Sequence, residues 1–184
     1  MADMIGFYSL VPTSDEKGYL GALLVTDDIG KPEEFRVTHP VKPTLLQRQI
    51  YGDTLIPHIG VSLCGAPLYQ ALKNKPSLLV VSSQELLLLG RDVPCSVAYV
   101  ERFAEAFTVA VEGSEPSASG RPLASESGRF QPLAPTYPSH YSREERRNAA
   151  GLINRFFEQI DLVEPFERIK KAIVALAQQD ERFR

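Results

Sequence analysis

Four consecutive apolar residues, Leu78-Leu79-Val80-Val81, follow Pro76-Ser77 and stop at Ser82-Ser83. Side chains along a strand alternate between two faces, so this run has no polar face to offer to water. Such a strand sits inside a sheet that is covered on both sides. That requirement points to an α/β body and constrains the rest of the reading.

Upstream, 5–11 is short and apolar and reads as a buried strand. A polar turn over 13–18 leads to a second strand, Tyr19–Thr26, rich in Leu and Val. Asp27-Asp28-Ile29-Gly30 is turn chemistry, with Gly30 free to take positive φ. Residues 34–38 then alternate, Phe35 and Val37 against Arg36 and Thr38, which predicts a half-buried strand paired back as a hairpin. The expected fold class is therefore α/β: a mixed sheet that opens with a β-meander, followed by helices and further strands. Leu45, Leu46, Gln49 and Ile50 have helical spacing, Asp53 is placed to cap a second helix, and Pro57 falls near its first turn. Residues 85–89 fit a helix, 95–100 a strand, and 103–111 either a strand or a short helix.

Composition shifts after the body. Residues 112–139 hold Pro116, Pro122, Pro132, Pro135, Pro138, three glycines and many serines. Too little apolar area is present there to offset the entropy of ordering the chain. The predicted organisation is a body over 1–111, a linker or exposed loop over 112–140 and a helical hairpin or tail over 141–184. The tail opens on Ser142-Arg143-Glu144-Glu145, a capping box. Ala149, Leu152, Ile153, Phe156, Phe157 and Ile160 follow helical spacing, and Pro165, Phe166, Ile169, Ile173 and Leu176 mark a second amphipathic helix. These faces must be buried, either on the same chain or against a partner. Phe156, Phe157, Phe166, Ile169 and Ile173 are the candidate partner-binding residues.

The 184 residues carry 43% hydrophobic side chains, enough for a core, and a net charge of −3, which disfavours a generic basic nucleic-acid binder. Two cysteines make neither a disulfide scaffold nor a four-thiolate zinc site. No run is long and apolar enough to cross a bilayer and the start lacks the features of a signal peptide, so a cytoplasmic protein without a membrane partner is expected. Phosphate-cradling glycine motifs, a nucleophile elbow, C-x-x-C and H-x-x-x-H are all absent. His39, His58 and His140 lie in separate contexts, and Asp27, Asp28, Glu33 and Glu34 bracket a turn. No catalytic residue, metal ligand or cofactor is assigned.

One stretch crowds polar donors among prolines: Arg36, His39, Lys42, Gln47, Arg48, Tyr51 and His58. Arg36, His39, Lys42 and Arg48 are the candidate contacts for phosphate or an acidic partner.

The element order over 5–100, with its hairpin, proline-rich turn, helices and Pro76-Ser77-Leu78-Leu79-Val80-Val81 strand, resembles the ribonuclease H-like superfamily, and within it endonuclease V. That resemblance implies metal-binding acids on the first strand and at the end of the fourth, where two cations clamp a scissile phosphate. Here Gly6-Phe7-Tyr8-Ser9-Leu10-Val11 carries no acid and the later strand ends in Ser82-Ser83, which implies a scaffold without that centre. The expected function is thus a non-catalytic accessory subunit, joined through body and tail to a protein partner or a second copy, with nucleic acid reached through the complex. The alternatives are a divergent metal-dependent nuclease using Asp27, Asp28 or Glu85, and a small nucleic-acid-binding adaptor using Arg36, Lys42 and Arg48.

Overall fold

The computed structural model describes residues 3–103 and 122–183. Six strands form one mixed sheet: β1 (Ile5–Pro12), β2 (Tyr19–Thr26), β3 (Pro32–Val37), β4 (Leu78–Val81), β5 (Ser96–Arg102) and β6 (Leu133–Thr136). Their spatial order is β3-β2-β1-β4-β5-β6. The first three strands are the expected meander, antiparallel throughout, whereas β1, β4 and β5 run parallel. In the β2–β3 turn the Asp27 carboxylate accepts from the Ile29 and Lys31 amides and Gly30 takes φ 85°. Only a residue without Cβ adopts that conformation without strain.

The alternation of side chains divides the core into two layers. Ile5 and Phe7 of β1, Leu20, Ala22 and Leu24 of β2, and Leu78 and Val80 of β4 face one layer. Tyr8, Leu23, Val25, Leu79 and Val81 face the other. That second layer is closed by a continuous helical run: α2 (Leu55–Pro57), a π-helical stretch (His58–Gly65) and α3 (Ala66–Ala71). A 3-10 helix, Gln84–Arg91, adds Leu86, Leu87 and Leu89.

The first layer is closed by the tail. Helix α4 (Arg143–Phe157) starts at the predicted capping box, with Ser142 and Glu145 each bonding the other's backbone amide. Helix α5 (Glu164–Gln179) follows, with Pro165 in its first turn. Phe156, Phe157, Phe166, Ile169 and Ile173 are all buried against the sheet of their own chain. Phe166 meets Phe7 edge-on with ring centres 5.8 Å apart, and Arg102 of β5 pairs with Asp161 between the helices at 2.7 Å. The tail residues taken as partner contacts are therefore core residues. The physical reason is β1 and β4 themselves, which would otherwise leave one apolar face of the sheet in water.

Three local expectations change. Part of the predicted linker is sheet: β6 pairs antiparallel with β5, and Leu123 exchanges two backbone bonds of 2.8 Å with Leu133. Pro135 is compatible with this because an edge strand has one side that needs no donor. Residues 112–121 of that linker, and 104–111 of the preceding segment, lie outside the described residues. Asp53 caps nothing through its side chain; it lies in a 3-10 turn, and Thr44 and Gln47 instead form the capping box of α1 (Leu45–Tyr51). Finally, α1 buries no residue at all.

Replacing Phe156 with alanine should lower unfolding stability by about 3–5 kcal/mol, because a wholly buried ring is lost from a packed layer. Chemical denaturation measures this, and light scattering should give the same native mass for variant and wild type. Ser142→Ala should cost about 1 kcal/mol through the lost cap.

Candidate functional site

The parallel strands β1, β4 and β5 end on the same side of the sheet, where open α/β sheets hold ligands. At that end the loop 13–18 joins β1 to β2, and Tyr19 at the start of β2 bridges to Val41 through two backbone bonds. This bridge brings 41–43 and α1 beside the loop.

Two of the four candidate basic residues meet there. Lys42 pairs with Asp15 at 2.9 Å, and the Arg48 guanidinium donates to the Lys17 carbonyl at 2.7 Å. Asp15 also accepts from the Thr13 hydroxyl and the Lys17 amide. These bonds, that of Thr13 first and that of Lys42 second, hold its carboxyl well below the usual carboxylate range. A lowered carboxyl pKa stabilises the folded loop above the unfolded value, near 4, and that contribution disappears as pH falls through the folded value. Lys42 is thus held at ordinary pH and freed in acid.

The other two candidates are elsewhere. Arg36 is tied to Glu34 on the sheet edge at 2.5 Å, and Glu34 also accepts from the Lys73 and Asn74 amides. His39 stacks on Phe183 with ring centres 5.6 Å apart. A single basic surface of all four does not form, since strand alternation and the turn at Pro40 send Arg36 and His39 to different neighbours.

Between 41–43 and the α1–α2 turn lies a pocket of about 150 Å³. A cavity of this order accommodates one aromatic ring. Val41, Pro43, Leu55, Ile59 and Leu63 make its apolar wall, while Lys42, Gln47, Tyr51 and His58 supply the polar groups. Tyr51 and His58 stack with centres 4.9 Å apart and planes 24° from parallel. The side-chain oxygen of Gln47 accepts from the Thr44 amide, so its NH₂ group is the end left for a ligand. An aromatic stack, an amide donor and a cation suit a planar heteroaromatic ring with a negative charge nearby. Lys17 and Asp15 were not singled out in the sequence. Helical period does not foretell the Tyr51–His58 pair, because Gly52 at φ 51° ends α1 and a 3-10 turn separates the two rings.

Outside the pocket, Leu45, Leu46 and Ile50 of α1 are 75%, 67% and 71% exposed, which leaves an apolar ridge next to the cations.

The acids do not converge. Asp27 and Asp28 follow β2 beside the start of β1, since Ile5 pairs with Thr26. Glu85 follows the opposite end of β4, which runs parallel to β1. No group of three His, Cys, Asp or Glu side chains gathers among the described residues. The divalent centre that the endonuclease V resemblance implies would need carboxylates from β1 and the end of β4, and the residues present do not fit one: β1 carries no acid and β4 runs into Ser82 and Ser83. No helix among the described residues is long and apolar enough to cross a membrane.

No family model and no curated protein matches the sequence. Solved structures do match in shape. Endonuclease V of Ciona intestinalis, crystallised with a 24-mer DNA containing an inosine, aligns with a TM-score of 0.53 at 12% identity, over 94% of this chain and 87% of that one. Human endonuclease V aligns with a TM-score of 0.52 at 15% identity, over 93% and 86%. These findings overturn the expected accessory assembly subunit. The tail that was to fasten it is part of its own core, and the two solved structures it aligns with are endonucleases, one of them crystallised with DNA. The chain has the ribonuclease H-like fold in the endonuclease V arrangement.

Proposed function

We propose that the chain binds nucleic acid beside the β1–β2 end of the sheet, with an unpaired base in the Tyr51–His58 pocket and the backbone along Lys17, Lys42 and Arg48. The observation that carries this reading is the pocket itself: a stacked aromatic pair of ring-sized volume beside cations, on a fold whose solved example holds DNA. Base stacking on an aromatic contributes about 1–3 kcal/mol, and phosphate contacts add a salt-dependent term. The net charge of −3 keeps that term local and the affinity moderate. The ridge of Leu45, Leu46 and Ile50 would lie against bases rather than backbone. Two free cysteines, Cys64 and Cys95, suit the reducing cytoplasm we assign to it.

Fluorescence anisotropy with labelled single-stranded and duplex 24-mers tests this. Binding should favour the single strand and weaken steeply between 50 and 200 mM salt. Tyr51→Ala should lose roughly 5–150-fold in affinity, the equivalent of about 1–3 kcal/mol. Arg48→Ala should lower the salt slope by about 0.7, one phosphate contact on a single strand. Absence of salt-dependent binding to either probe rejects the reading. Cleavage products in the same samples would instead favour the nuclease alternative.

Asp15→Asn should release Lys42 and tighten single-strand binding severalfold at pH 7. Fluorescence anisotropy of both proteins at pH 7 and fixed ionic strength measures the difference.

A further inference from the structure

The crevice that would hold cations on this fold is occupied by a tyrosine. Tyr8 is central in β1, is paired in register with Val81, the last residue of β4, and accepts through its carbonyl from the Ser82 amide at 3.0 Å. Its side chain is wholly buried and its hydroxyl donates to the Gly60 carbonyl at 2.5 Å. Burial, with a further contribution from Cys64, pushes the phenol far above its usual pKa, so it is a permanent donor. The π-helical stretch closes over it through two glycines. A Cβ on Gly65 would stand 2.7 Å from the Gly60 carbonyl oxygen and 3.1 Å from the Tyr8 ring, and a Cβ on Gly60 would stand 2.4 Å from Leu86. A side chain as long as a carboxylate has no room at either position. Leu86 and Leu89, both wholly buried, complete the enclosure.

We propose that Tyr8, locked to Gly60, has replaced the cation centre of this fold by packed core, so that the protein handles its nucleic acid with no divalent cation in the β1–β4 crevice. A hard cation needs about six oxygen ligands and charge compensation. At this end of β1 and β4 the oxygens are the Tyr8 phenol, which already donates, the Tyr8 and Gly60 carbonyls, which already accept, and the neutral hydroxyls of Ser82 and Ser83. An unpaired ion in such surroundings carries a large desolvation cost. The nucleic-acid half of this statement rests on the function proposed above, whereas the structural half stands by itself.

The experiment uses the full chain in two arms. Thermal melts and titration calorimetry with MgCl₂ and MnCl₂, against NaCl at matched ionic strength, should show no cation-specific heat and no saturable rise in melting temperature. A saturable rise with either cation overturns the proposal, whatever the nucleic-acid result. In the second arm, anisotropy should give binding at least as tight in EDTA as in Mg²⁺, since free Mg²⁺ only competes for phosphate. Loss of binding or of strand cleavage on adding EDTA overturns it. Tyr8→Phe keeps the ring and removes the bond to Gly60, so it should melt roughly 2–4 °C lower and bind with unchanged affinity. A Tyr8→Phe protein that melts like wild type but binds poorly would make the hydroxyl a functional group and sink the structural assignment.

Discussion

The first half of β1 lies beside β4 with both faces buried, and the architecture follows from covering them. Ile5, Phe7, Leu78 and Val80 need one apolar layer; Tyr8, Leu79 and Val81 need another. Each such side chain contributes roughly 1.5–3 kcal/mol when removed from water, more than any surface contact in the molecule can supply. The first layer comes from the far end of the chain, where α4 and α5 fold back across the sheet. The second comes from the helical run that directly precedes β4. A tail committed to that core has no apolar stripe left for a partner, and this is why an assembly role through Phe156 or Ile169 does not survive.

The same helical run also shapes the candidate site. Its inner glycines, Gly60 and Gly65, seal Tyr8, while its first residue, His58, stacks on Tyr51 at the pocket rim. A π-helical stretch carries an extra residue per turn, and such stretches recur at functional sites. Here one of them separates a closed crevice over β1 and β4 from an open pocket beside β2. The pocket beside α1 is where the proposed function places the ligand, while the π-helical stretch packs its glycines over Tyr8.

The sequence made much of this legible. The Leu78–Val81 run required a strand covered on both faces, the alternation of Phe35 and Val37 fixed the hairpin, and Ser142 with Glu145 announced α4; each signal is local, in a fixed period or a single turn of backbone. Lys42, Gln47, Arg48, Tyr51 and His58 were also visible as a crowd of polar donors. Their division was not. Whether Arg36 faces Glu34 or a phosphate depends on strand register, and the stacking of His39 on Phe183 joins residues far apart in the chain. Nor did helical spacing in α1 reveal that Leu45, Leu46 and Ile50 lie outside the core, since a 3.6-residue period shows a common face but not what lies opposite it.

By itself, then, the sequence determined the first five strands, the capped start of α4, the absence of acids within β1 and at Ser82-Ser83, and the need to bury the tail. Those properties are set by neighbours within a few residues: side-chain alternation, capping geometry and residue identity. The tertiary structure alone decided that the tail covers its own sheet, that β6 (Leu133–Thr136) emerges from a proline-rich stretch, and that Tyr8 closes on Gly60 fifty-two residues away. These outcomes depend on which apolar faces meet in space, and that pairing is selected by the burial of the whole core rather than by any local pattern.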